Sequence, residues 1–178
     1  EEVRRGKKHR RHSPRHGWEI SFLGSFQVNR TELLLGEDAK KLKNSSAAIF
    51  GLGGVGGYCA EFLARAGVGR LALADSDSIS ESNLNRQVLA LSSTVGRKKT
   101  SVCAERIGQI NGEIRVEEFD LFYDKNTPFD FSAYDIVLDC IDTVTSKVAL
   151  ALASRGNSEL TSCIAPGTML NPPFKIDA

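Results

Sequence analysis

The apolar run Ala47–Phe50 passes straight into Gly51-Leu52-Gly53-Gly54-Val55-Gly56 and then into a segment of helical periodicity. That succession constrains the fold more than anything else in the chain. A short apolar run closed by glycine reads as a strand buried on both faces. Across Val55–Ala66, the residues Val55, Ala60, Leu63 and Ala64 form one helical stripe, which Gly67 and Gly69 end. The alternation then repeats. Arg70–Ala74 reads as a second strand closed by Asp75, and Lys98–Ile110 as a helix with Val102, Cys103, Ile107 and Ile110 inward. Ile114–Phe119 alternates as a third strand, Ile136–Cys140 is another buried run, Ser146–Ser154 a helix and Leu160–Ala165 a strand. Ahead of them, Ser21–Lys43 reads as a helical lead-in with Leu33–Leu35, Ala39 and Leu42 on one face, broken at Gly36. Strands alternating with helices predict an α/β, Rossmann-like, doubly wound and mainly parallel sheet with helices on both faces. Such sheets bind ligands outside the carboxyl ends of their strands.

Charge and cysteine placement remove several classes of chemistry. Residues 1–16 hold seven Lys/Arg against Glu1 and Glu2, whereas the remainder has 16 basic and 20 acidic residues. This head, residues 1–20, is expected to be disordered, and it reads either as an arm for phosphate backbones or as a solvated tail. All three histidines lie within it, so the globular part, 21–178, has no histidine for acid–base work or metal ligation. Cys59, Cys103, Cys140 and Cys163 are too widely spaced for a CxxC zinc pair or a compact disulfide framework, and read as small buried residues. Trp18 is expected to pack the lead-in helix. No stretch approaches the ~20 apolar residues of a membrane span. The expected compartment is the reducing cytoplasm, with no membrane partner.

The glycine loop carries the first chemical signal. Glycines admit the tight turn and let backbone N–H groups approach an anion, and the following helix N-terminus adds partial positive charge. Asp75, 19 residues after Gly56, is placed to accept hydrogen bonds from ribose hydroxyls. The stretch beyond distinguishes reacting phosphates from a hydride carrier. Arg86 and Lys99 bracket the pocket as a planar fork and a point charge, which suits charge developing at a phosphoryl group. Asp139-Cys140-Ile141-Asp142 puts a carboxylate at the carboxyl end of its strand, where it can hold Mg²⁺ that keeps waters and pyrophosphate oxygens. An NAD-dependent dehydrogenase leaves those three features unexplained.

Taken together, Gly51-x-Gly53-Gly54-x-Gly56, Asp75-x-Asp77, Ser82-Asn83-Leu84-Asn85-Arg86-Gln87, Val95-Gly96-x-x-Lys99 and Asp139-x-x-Asp142 resemble the ubiquitin-activating-enzyme-like superfamily of ThiF, MoeB and HesA. Within it, Asn29–Gly36 and Asp142–Lys147 resemble the tRNA threonylcarbamoyladenosine dehydratases. The resemblance covers residues 25–178 and departs at Val88-Leu89, at Cys163–Met169 and at Asn171. It implies an ATP-dependent adenylating enzyme. Gly51, Gly53, Gly54 and Gly56 would line the ATP phosphates, Asp75 would bind ribose, Asn83, Arg86 and Lys99 would contact phosphates, and Asp142 would hold Mg²⁺. Arg30 matches an arginine that reaches into the partner's ATP site, which implies a homodimer. The implied acceptor is tRNA, with a ubiquitin-like sulfur carrier as the alternative and a cysteine desulfurase system as a further partner. A non-catalytic nucleotide-binding scaffold is the alternative of another class. The chain ends at Ala178 inside what reads as a sixth strand, so the domain is expected to be cut short there.

Overall fold

The computed structural model describes residues 34–156 and 158–162. The basic head, Trp18, Arg30, most of the lead-in, Cys163, Asn171 and the expected sixth strand lie outside the described residues. Five strands form one parallel sheet in the order β3-β2-β1-β4-β5: β1 Ser46–Phe50, β2 Arg70–Ala74, β3 Arg115–Phe119, β4 Ile136–Asp139 and β5 Glu159–Ser162. The helices are α1 Ala39–Asn44, α2 Gly56–Ala66, α3 Lys99–Ile110 and α4 Val144–Ser154. The expected α/β sheet with helices on both faces is therefore present, with boundaries moved by one or two residues. Of the lead-in's apolar face, Leu42 packs against the core, while Leu34 and Leu35 are exposed.

Successive residues of β1 point to opposite faces, and both faces are apolar. Ala47 and Ile49 join Ala60 and Ala64 of α2 and Val102, Cys103 and Ile107 of α3 in one core. Ala48 and Phe50 join Leu150 of α4 in the other. Burial pushes the Cys103 thiol up to about 12, so it stays a protonated, inert core residue. Among the described residues β3 is one of the two edge strands. Its sequence alternates as expected, yet none of its residues is fully buried, and Arg115, Glu117 and Glu118 keep a charged rim there.

The sequence reading did not foresee what covers β1 and β2 on the second face. The connection from β3 to β4 brings Tyr123, Phe129 and Phe131 onto Phe50, with ring centroids 5.1 Å (Tyr123) and 4.9 Å (Phe129) from it in edge-on arrangements. Tyr134 continues this layer toward the amino ends of the strands. There the Arg70 guanidinium lies 4.5 Å from the Tyr134 ring centroid and 2.8 Å from Glu117. Tyr134 donates its hydroxyl to the same carboxylate at 2.6 Å. Hydrogen bonds from Arg70 and Tyr134 hold Glu117 below the usual carboxylate range. Burial, helped by Glu117, pushes the Tyr134 phenol up to about 12. Among the described residues no helix is long and apolar enough to cross a membrane.

Candidate functional site

From β1 the chain proceeds outward to β2 and β3 on one side, and then returns to β4 and β5 on the other. A crevice opens outside the carboxyl ends at such a reversal of strand order. Here it is a cleft of about 670 Å³, within the size range of small-molecule sites. Gly51, Gly53, Gly54, Asp75, Asn83, Arg86, Lys99 and Asp142 all line it, so residues spread over more than ninety positions of sequence share one wall system (Gly51 to Asp142). Gly56 does not line the cleft. It is buried, and a Cβ there would be driven into the Gly51 carbonyl, so its bareness lets α2 start directly against the loop. Gly51 has a left-handed φ of 88°, and a Cβ on it would meet the Cys140 carbonyl at 2.8 Å.

The inner wall is wired to the backbone. One oxygen of Asp75 accepts the Leu52 N–H at 2.6 Å, and the other accepts the Asp77 N–H at 2.8 Å. The expected ribose ligand thus also clamps the glycine loop to the end of β2. Lys99, 5% exposed, places its ammonium 2.7 Å from Asp77 and 3.8 Å from Asp75. Asp77 is a motif position to which the sequence assigns no role, and the fold makes it the partner of Lys99. Asn83 is buried and accepts the Ser80 N–H at 3.1 Å, closing a reciprocal cap on the short turn Glu81–Asn83.

The outer wall is looser. Arg86 is exposed and donates through Nη1 to the Ser82 carbonyl at 2.7 Å and to Asn85 Oδ1 at 2.9 Å. Asp142 is exposed beside Thr143, whose hydroxyl donates to it at 3.3 Å. The two carboxylates of Asp139-x-x-Asp142 are separated in role by burial. Asp139 is fully buried, accepts from Lys147 and from the Ser162 hydroxyl at 2.7 Å each, and turns away from ligand duty. Asp142 is the one on the cleft.

Two features of the walls escaped the sequence reading. Leu121, Phe122 and Tyr123 close one side, with Phe122 exposed; the apolar triplet after Asp120 was its only signal. Gln87 also lines the cleft, buried, next to Gly53. Within the lining, three carboxylates (Asp75, Asp77, Asp142) stand against two cations (Arg86, Lys99). Among the described residues no group of three or more His, Cys, Asp or Glu side chains could hold a metal by itself. Asp142 as one carboxylate ligand fits a Mg²⁺ ion that is ligated mainly by phosphates and water.

The ThiF family profile matches residues 26–164. The tRNA threonylcarbamoyladenosine dehydratase of Bacillus subtilis is 44% identical over 127 residues, which is 70% of this chain and 50% of that protein. The molybdopterin-synthase adenylyltransferase of Escherichia coli is 38% identical over 133 residues, 72% of this chain and 53% of that protein. The crystal structure of the E. coli tRNA N6-threonylcarbamoyladenosine dehydratase in complex with ATP superposes with a TM-score of 0.71 at 38% identity, covering 76% of this chain and 58% of that one. The chain thus spans about half the length of the curated relatives it matches. With the glycine loop, the strand-order reversal and this level of identity in agreement, the chain belongs to the ThiF family.

Proposed function

We propose that this chain is the nucleotide-binding part of an ATP-dependent adenylating enzyme that acts on threonylcarbamoyladenosine in tRNA. The observation that carries the reading is the convergence of Arg86, Lys99 and Asp142 on the cleft floored by the Gly51–Gly54 loop. The identity to tRNA threonylcarbamoyladenosine dehydratase supports the choice of acceptor. In the reaction, a carboxylate oxygen of the modified base attacks the α-phosphorus of ATP, the bond to the β-phosphate oxygen breaks, and pyrophosphate leaves. The adenylated carboxyl is an activated acyl group. Ring closure within the base then expels AMP, with net loss of one water from the modification.

The side chains divide this work. Backbone N–H groups at the start of α2 and the Lys99 ammonium hold phosphates, Asp75 receives the ribose hydroxyls, and Asn83 and Arg86 steady the phosphate charge. Donors aimed at developing charge are each worth about 2.7–4 kcal/mol in such sites. The cleft's own balance of three carboxylates to two cations leaves a triphosphate short of positive charge. Mg²⁺ held at Asp142 would supply part of it by neutralising phosphate oxygens. Arg30 of a second protomer would supply the rest, which makes the enzyme a homodimer. A cytoplasmic location follows from a tRNA substrate.

Likeness to molybdopterin-synthase adenylyltransferase favours one second reading, in which the acceptor is the C-terminal glycine of a ubiquitin-like sulfur carrier, fed by a cysteine desulfurase. Incubating the protein with ATP and either modified tRNA or such a carrier separates the two. Loss of one water from the nucleoside is expected with tRNA. Adenylation of the carrier alone would overturn the tRNA reading, and nucleotide binding without pyrophosphate–ATP exchange would make the protein a scaffold.

A further inference from the structure

Among the polar side chains buried along the cleft, Gln87 is the one whose hydrogen bonds are not spent on the protein. Asp75 takes two backbone N–H groups, Asn83 caps Ser80, and Lys99 pairs with Asp77. Gln87 is 8% exposed, and among the described residues nothing donates to its Oε1. Its backbone is already committed, since its N–H donates to the Asn83 carbonyl at 2.9 Å and its carbonyl accepts from the Ala90 N–H at 3.0 Å. A buried amide oxygen without a donor destabilises the fold, so native chains rarely keep one without a compensating role.

The position of the carboxamide suggests that role. Its Nε2 would lie 3.9 Å from a Cβ placed on Gly53, an ordinary contact distance, so the carboxamide stands directly beside the loop where both line the cleft. Arg86, the neighbouring residue, also borders the loop, with its carbonyl 3.7 Å from where a Cβ of Gly54 would be. We infer that Gln87 is a nucleotide-binding residue whose carboxamide completes its hydrogen bonds only when phosphate occupies the Gly53–Gly54 turn. The inference rests on the reading of the cleft as an ATP site. Phosphate oxygens only accept, so they recruit the NH₂ end. The carbonyl end then takes a donor that enters with the phosphate, an ordered water of its hydration shell.

A group satisfied by ligand rather than by protein has an unusual signature, because removing it moves apo stability and affinity in opposite directions. Gln87→Met, close in volume and without polar ends, is expected to keep or raise the melting temperature of the full chain without ATP. It should weaken ATP binding, read by calorimetry, about tenfold or more, as for a hydrogen bond to a charged group. Gln87→Glu, which sets a carboxylate against phosphate, should weaken it further. In the wild type, the side-chain amide resonances of Gln87 should shift on addition of ATP and stay in place with adenosine. That measurement keeps the inference testable should the Met variant fold poorly. A Met variant that melts lower and binds ATP normally, or amide resonances indifferent to phosphate, would overturn the inference while leaving the ATP site standing. A wild-type chain that fails to bind ATP would overturn the reading of the cleft, and this inference with it.

Discussion

Two charged clusters lie at opposite ends of β2, and they spend their charge differently. At the amino end, Arg70, Glu117 and Tyr134 close on one another, and Arg70 also donates to the Ala133 carbonyl at 3.2 Å. At the carboxyl end, Asp75, Asp77 and Lys99 form a similar knot, but it faces a cleft whose other charged groups, Arg86 and Asp142, are exposed. The first cluster ties β2 to β3 and to the aromatic layer. The second ties down a loop and leaves groups oriented toward a space the protein does not fill. A charged cluster is thus structural or functional according to what remains unspent after its internal pairs are made.

The largest expected effect tests the outer wall. Arg86→Ala and Asp142→Ala should each lower AMP formation by about 100- to 1000-fold. Both side chains are exposed, so the melting temperature should not change. A parallel fall in stability would erase the contrast between the two walls. Next, Arg70→Ala should cost about 2 kcal/mol of stability in chemical denaturation, less than a fully buried pair because both partners keep some solvent. ATP affinity should be unaffected, and a change in it would join the two ends of β2 into one functional unit. Asp75→Asn sits between the classes. It leaves one acceptor oxygen for the Leu52 and Asp77 N–H groups, so it should cost roughly 1.5 kcal/mol of stability and also weaken ATP binding.

The smallest effect is acidic. Hydrogen bonds from Arg70 and Tyr134 lower the pKa of Glu117 in the folded state below that of a free carboxylate, so its charged form favours folding. That contribution is complete above the unfolded carboxylate's range and is lost as pH falls through the lowered folded value. Glu117→Gln should therefore be less stable near neutrality and lose less stability on acidification, read as a shallower fall of denaturation midpoint with pH below the ordinary carboxylate range. Equal slopes for wild type and variant would show that the amino-end cluster contributes no net charge stabilisation.

Much of this architecture is legible in the chain, because strands buried on both faces must be continuously apolar and helices between them must carry one stripe. Ala47–Phe50 and Arg70–Ala74 were readable on that ground, and the glycine loop fell where a strand must turn into a helix. The edge position of β3 was not readable, since a charged alternating strand fits an edge and a half-buried interior equally well. The aromatic layer was missed for a related reason. Tyr123, Phe129, Phe131 and Tyr134 show no period, being set by the need to cover Phe50 from an irregular connection.

Local pattern thus determined the order of elements, the loop geometry demanded by Gly51 and Gly56, and the set of charged residues available near the strand ends. Partnering was decided only in three dimensions. Asp139 and Asp142 are three positions apart and chemically identical. One is consumed because β5 brings Ser162 and α4 brings Lys147 against it, while the other is left at the cleft. Gln87 likewise reads as an ordinary polar residue until burial removes water and, among the described residues, nothing donates to its Oε1. Hydrogen-bond satisfaction depends on which distant segments meet, and adjacency along the chain carries no record of it.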